Sequence, residues 1–289
     1  MWSSKKNLQI EISGRSSIEG IKTMFFEIYS LMFIYMGGFP RLIRMEINGE
    51  SLDISSLADR FETSSQFRKA SLVLCPINGD TINESTVQRY RCIAKMHLFS
   101  LQYLVSQNYE KINIAHKITL ALHVVDGVVD ESVSKNYKSE IKRRYKIPNV
   151  GNYYAKVYFL CKTFFFTAHR KSRYGILSLL NTSQKNFIQV IVDTRNWYSH
   201  FLPESLKPDK LKEGSAMIKY LEIVCYLIRM QMLDSIGVKR DKERMDEYFY
   251  TIHDWLIKTC PGKEISYKSR TYRSIKSVEM MRKMFKDTM

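Results

Sequence analysis

From residue 185 to 202 the chain places an apolar side chain at every third or fourth position. At about 100° per residue, Phe187, Val190, Ile191, Thr194, Tyr198 and Phe201 fall on one face, which predicts an amphipathic helix with a core-facing stripe. The same period recurs over 91–107, 113–132, 153–167, 214–236 and 242–258, with Gly237 as a C-cap. Pro148, Gly151, Ser183 and the stretch 203–208 punctuate these segments as loops. No strand pattern stands out between residues 84 and 259. The first ninety residues read differently. Residues 7–13 and 41–48 alternate apolar and polar as half-buried strands do, and residues 71–75 form a third short apolar run. Asn48-Gly49 is a hairpin turn signal. Between the first two runs, Ser17 is placed to cap a helix that Gly37-Gly38 and Pro40 end. Its greasiest part, 24–36, carries Glu27 and is shorter than a bilayer crossing, so it reads as a core helix.

The expected fold class is therefore mainly α: an antiparallel helical bundle over 91–260, preceded by a small α/β N-terminal part over 1–90. Residues 261–289 form a basic C-terminal arm. There Lys263, Lys268, Arg270, Arg273, Lys276, Arg282, Lys283 and Lys286 are interleaved with Tyr267, Tyr272 and Phe285. Read functionally, the arm grips RNA through phosphate contacts and stacking; read plainly, it is a solvated tail. Two further basic clusters, 142–146 and 169–173, carry the same two readings.

Hydrophobic residues make up 45% of the chain and charged residues 26%, which is ordinary globular composition. The charge balance is not ordinary. Lys and Arg number 45 against 29 Asp and Glu, a formal +16, which favours an anionic partner such as nucleic acid or an acidic membrane surface. The five cysteines are far apart and never in C-x-x-C spacing. That suits reduced thiols in the cytoplasm and supports neither a zinc site nor a disulfide framework. Residues 1–6 have lysines with no apolar stretch behind them, so no secretory signal is expected, nor is stable membrane association. Phosphate-cradling, dinucleotide-binding, H-E-x-x-H and G-x-S-x-G motifs are absent, and neither a cofactor nor a metal is indicated.

The polar side of the 185–202 helix carries the candidate chemistry. Arg195 leaves one edge of the apolar stripe and His200 the other, about 140° away, with Asn196 and Ser199 between them. A cation, an amide, a hydroxyl and an imidazole on one arc are equipped to bind and cleave a phosphodiester. A histidine exchanges protons near neutral pH, and an arginine stays charged and grips two oxygens through its planar fork. Each residue also has an ordinary alternative. Arg195 serves equally in an ion pair with Asp193 or a neighbouring helix, and a histidine near a helix C-terminus is stabilised by the macrodipole without any catalytic duty. Trp197 reads as packing or as a dimer contact. His97, His116, His123 and His253 read as structural, whereas His169, in a basic cluster, suits a grip on RNA. Asp126, Asp130 and Glu131 are suitable partners for the Arg or His that the pattern alone does not place.

Arg195-Asn196, three intervening residues and His200, after a hydrophobic run and Asp193-Thr194, resemble the motif of HEPN ribonucleases. The phrase Val-Asp-Thr-Arg-Asn-Trp-Tyr-Ser-His over 192–200 is most similar to the ApeA-type branch found in phage-defence proteins. The resemblance implies a HEPN-like helical bundle and a homodimer that pairs two motifs across one cleft. It also implies a metal-independent endoribonuclease with Arg195, Asn196 and His200 as catalytic residues, RNA (tRNA among the candidates) as partner, and an abortive-infection setting in the cytoplasm. Two rival classes remain beside it: a catalytically silent HEPN-like module that binds RNA or a protein, and a membrane-surface protein that uses the basic arm on anionic lipid.

Overall fold

A computed structural model describes residues 11, 17–36, 44–51, 81–96, 114–166, 175–208 and 214–238. The expected strands over most of 7–13 and over 71–75, the helix over 242–258, the cluster over 169–173 and the basic C-terminal arm lie outside the described residues. So do the breakers at 37–40 and the part of the 91–107 helix beyond residue 96.

In chain order the described elements are α1 (Ile18–Met36), β1 (Glu46–Ile47), β2 (Glu50–Ser51), α2 (Glu84–Met96), α3 (Ile114–Val128), α4 (Glu131–Tyr145) and α5 (Asn152–Leu160). A π-helical stretch, Cys161–Phe166, continues α5. Then follow α6 (Ile176–Leu179), α7 (Gln184–Ser199), a 3₁₀ turn (Glu204–Leu206) and α8 (Gly214–Ser235). The architecture is mainly α, as the periodicity predicts. The strands form one small antiparallel hairpin, Glu46 opposite Ser51, turned by Asn48 and Gly49 at φ 53° and 83°. Positive φ at both central residues is what a tight two-residue hairpin turn requires.

α8 is the axis of the bundle. From Tyr220 to Leu233 it is buried on nearly every side, and α1, α3, α5 and the π-helical stretch pack around it. Amphipathicity describes such a stretch poorly, because little of it faces water. The second half of α1 behaves likewise: Leu31 to Tyr35 are all buried, which bears out the core helix expected there. Its capping by Ser17 is also present, Gly20 N–H donating to Ser17 Oγ at 3.1 Å. The C-terminal end of α1 meets α8 through a buried cation. Arg229, 3% exposed, donates from Nε to Ile34 O (2.8 Å) and from Nη2 to Tyr35 O (2.9 Å). Terminal helix carbonyls have no partner within their own helix, so a guanidinium there answers both their hydrogen-bonding need and the negative end of the dipole.

The helix expected over 113–132 ends early, at Val128, and a helix not expected from the sequence begins at Glu131. The period over 113–132 runs through a real break at Val129 and Asp130, where Asp130 accepts from Ser132 N–H at 2.6 Å and starts α4. An aspartate whose side chain bonds a backbone N–H two residues on is a strong start signal, and it overrides an unbroken apolar period. α4 ends at Lys146, in the left-handed conformation, with Lys142, Arg143 and Arg144 in the last turn where cations suit the dipole. α4 packs on α5, and Glu140 ties the two by accepting from Tyr158 Oη (2.7 Å) and Lys162 Nζ (2.6 Å). Those two hydrogen bonds hold the Glu140 carboxyl below its usual range.

Replacing Arg229 with Met keeps most of the buried volume but strands two helix-end carbonyls. It is expected to cost about 2–3 kcal/mol in urea denaturation. For Glu140, the lowered folded-state value means that its contribution is present above the unfolded carboxylate value and is lost as pH falls through the folded one. Glu140→Gln is therefore expected to flatten the acid limb of a stability–pH curve, and an unchanged limb would remove Glu140 from the account.

Candidate active site at the end of the motif helix

α7 is fixed at both ends. Ser183 caps its start, accepting from Asn186 N–H at 3.2 Å, and Phe187 stacks on Tyr220 of α8 with ring centroids 5.1 Å apart. Phe187, Ile188, Ile191, Val192 and Thr194 are buried, while Val190 and Tyr198 are half-buried against the core. The stripe expected from the sequence is therefore present, except for its last member. Phe201 belongs to the stripe only if the helix continues to 202. It stops at Ser199, with His200 as C-cap and Phe201 at φ 50°, and Phe201 stands 93% exposed. His200 N–H bonds Asn196 O (3.0 Å) and Leu202 N–H bonds Trp197 O (3.1 Å). This is a left-handed cap that answers the last carbonyls and turns the chain away from the core.

Arg195, Asn196 and Ser199 lie on the partly exposed side of this last stretch, which faces α3 and the first turn of α5. Arg195 Nη2 is 3.3 Å from Asp126 Oδ2, Nη1 is 3.4 Å from Asn196 Oδ1, and the guanidinium carbon stands 5.2 Å from the centre of the Tyr153 ring. Nε is buried without a hydrogen-bond partner among the described residues. The cation is thus backed by an ion pair and an aromatic face, yet its two polar contacts are long, and long hydrogen bonds are easily exchanged for better ones. Asp126 also faces a second cation. Lys156, buried in α5, donates to Asp126 O at 2.5 Å and lies 3.7 Å from Oδ1. Tyr153 donates its hydroxyl to Leu122 O at 2.9 Å, and desolvation pushes that hydroxyl's ionisation well above the usual tyrosine range, with Asp126 adding to the effect.

His123 and Asp126 sit three apart on α3 and so share a face. α3 and α7 run antiparallel there, so Asp126 meets Arg195 while His123 Nε2 comes within 3.4 Å of Ser199 Oγ. Of the predicted residues, Arg195 and Asn196 are brought into contact. His200 is exposed at the helix end, and no hydrogen bond joins its imidazole to either among the described residues. Asp193, the alternative partner of Arg195, is taken by Gln189 Nε2 at 2.8 Å, and the ion pair goes to the neighbouring helix instead. Asp130, one of the acids considered for the site, is engaged as a helix cap.

The sequence reading missed Lys156, Tyr153 and the role of His123, and left Asp126 unplaced. Two signals pointed to them. A lysine inside the apolar run Tyr-Tyr-Ala-Lys-Val-Tyr-Phe-Leu over 153–160 must find acceptors once buried. A His and an Asp spaced i, i+3 in an otherwise apolar helix define a polar edge. Trp197 is engaged within the chain: its indole N–H donates to Pro203 O at 3.0 Å and Lys207 Nζ lies 5.2 Å above its ring. Among the described residues no group of three or more His, Cys, Asp or Glu is arranged to hold a metal, and no helix is long and apolar enough to cross a membrane.

Residues 100–242, which span the whole site, match the family described as Apea-like HEPN, and the chain carries a HEPN domain of the ApeA type. No curated protein and no solved structure matches the chain.

Asp126→Ala leaves the buried Lys156 ammonium and the Arg195 guanidinium without their shared carboxylate. It is expected to destabilise the domain by about 2 kcal/mol, moderated because Asp126 is partly solvated. Adding Lys156→Met should recover most of that loss in urea titration. If the double variant is no more stable than Asp126→Ala, the stranded lysine is not the cause.

Proposed function

We propose that the domain is a metal-independent endoribonuclease of a phage-defence system, cleaving RNA in the cytoplasm as a homodimer. The family is one of phage-defence HEPN nucleases, which supports the setting. The observation that carries the chemistry is the division of labour at the end of α7. Arg195 is held from behind by Asp126 and Tyr153, while His200 stands in solvent within the same helix end.

In the proposed reaction the ribose 2′-hydroxyl loses its proton to a base and its oxygen bonds to the adjacent phosphorus. The phosphorus–O5′ bond breaks as an acid protonates the leaving oxygen. The products are a 2′,3′-cyclic phosphate and a 5′-hydroxyl. The Arg195 guanidinium holds two non-bridging oxygens as negative charge grows on them, exchanging its long contact with Asn196 for a charge-assisted pair. Asn196, released from that contact, orients the phosphate or the imidazole. His200 carries one proton transfer. A second copy of the motif, facing the first across a dimer, carries the other. Ser199, hydrogen-bonded to His123, lines the same edge, and His123 acts by positioning it. The net charge of +16 raises the encounter rate with any polyanion and makes binding salt-dependent.

The test is cleavage of total tRNA in EDTA by the wild-type chain, beside Arg195→Ala and His200→Ala, with the product ends analysed. Cleavage with cyclic ends is expected for the wild type, and a loss of about a hundredfold or more for each variant. His123→Ala is expected to cost no more than about tenfold, as removal of an outer positioning contact does. Cleavage that EDTA abolishes, or that His200→Ala retains, would overturn the reading. RNA binding without strand cleavage would favour the silent module instead.

A further inference from the structure

Three described helices end in the same backbone arrangement, in which a left-handed residue lets the following N–H close on a carbonyl five residues back. At the end of α6 the left-handed residue is Asn181 (φ 50°), with Thr182 N–H to Leu177 O at 2.9 Å. At the end of α8 it is Gly237 (φ 75°), with Val238 N–H to Leu233 O at 3.0 Å. At the end of α7 it is Phe201. Glycine and asparagine tolerate this conformation; a bulky aromatic does so only under strain. Burial does not compensate, because Phe201 is almost fully exposed. The chain therefore keeps an aromatic ring strained and in water, directly after His200. Strain of this kind is concentrated at functional sites. Trp197 nearby is no substitute, since its indole N–H is taken by Pro203 O and Lys207 lies over its ring.

The geometry points to Phe201 as a stacking platform for an unpaired nucleobase beside the scissile phosphate. This rests on the ribonuclease reading above. One open aromatic face accepts any base, and Arg195, on the helix that ends just before it, together with the net charge of +16, suits the phosphates beside that base. A base inside a duplex is already stacked on its neighbours, so only an unpaired one can use the ring. A second copy of the chain fits less well. A single ring covers far less than the about 800 Å² per partner of a stable interface, so a second copy alone does not account for it.

The test compares the wild-type chain with Phe201→Gly and Phe201→Trp on a hairpin RNA and on a perfect duplex. Binding is read on a hairpin with 2′-deoxy loop residues, which cannot be cleaved, and cleavage on the all-ribose form. Phe201→Gly is expected to unfold at a higher urea concentration than wild type, because glycine relieves the strain. It should nonetheless bind the loop about tenfold or more weakly, with the loss in KM rather than kcat. Phe201→Trp should restore binding, and the duplex should be held weakly by all three. Wild-type loop affinity in Phe201→Gly, a wild-type preference for duplex, or no RNA binding at all would overturn the proposal. So would a shift from dimer to monomer in Phe201→Gly, which would assign the ring to a second copy. Loop binding that needs Phe201 while no RNA is cut would keep the platform and refute the nuclease; His200-dependent cutting indifferent to Phe201 would do the reverse.

Discussion

Asp126 is where three helices agree on their register. Its carboxylate faces Arg195 on α7 and Lys156 on α5, and its own carbonyl accepts from that lysine, so both faces of one residue are engaged. A buried ammonium demands an anion or a set of acceptors, and a half-buried guanidinium demands a counter-charge; one aspartate meets both demands only if α3, α5 and α7 keep their relative heights. A slip of one residue along α3 would turn Asp126 away from Arg195 by about 100° and take His123 from Ser199 with it. The pairing adds little net stability as an exchange of water for protein contacts. Its value lies in specificity of position, because the wrong arrangement strands two charges.

The second constraint is where α7 stops. Apolar periodicity alone carries the helix to residue 202 and places Phe201 on the core face. The observed end at Ser199 follows from backbone hydrogen bonding, which the side-chain pattern does not encode. The left-handed residue lets Leu202 N–H reach Trp197 O, and Pro203, whose carbonyl accepts from the Trp197 indole, cannot continue a helix. Ending there leaves His200 exposed at the helix terminus. An arginine stays charged whatever its surroundings, so it can be anchored from behind. An imidazole that is to exchange protons with a substrate must be reachable, and a helix terminus offers that access.

What was legible in the sequence, and what was not, divides along the same physical line. Local signals were readable: Ser17 and Asn48-Gly49 act within a few residues, and Gly237 sits at a left-handed cap where a side chain would collide with Arg89. The motif helix was readable because its buried face repeats. The break at Asp130 was missed because an apolar period outweighed a capping side chain. The bracing residues were missed for a different reason: Asp126 and Arg195 lie 69 positions apart, and nothing local selects Asp126 over Asp130 as the partner of Arg195. The positions of Lys156 and Arg229 carry a general rule, that a cation in an apolar run must find acceptors, but the rule does not name the acceptor.

Arg229 and Arg195 show what that rule permits. Both are arginines on helices packed into the core; Arg229 points at two backbone carbonyl oxygens and Arg195 at a carboxylate. Arg229 is almost fully enclosed, with short bonds to two fixed carbonyls, so its donors are committed and its role is structural. Arg195 is 25% exposed, its contacts lie at 3.3 and 3.4 Å, and one nitrogen is buried without a partner among the described residues. A guanidinium so placed is positioned but not satisfied. A bidentate phosphate would offer it shorter, charge-assisted bonds than the folded chain does, whereas a neutral ligand would offer no gain over Asn196. The same fold thus uses one arginine to close a helix end and leaves another under-bonded where an anion can reach it. That difference in hydrogen-bond saturation, rather than the residue type, separates the candidate site from the scaffold.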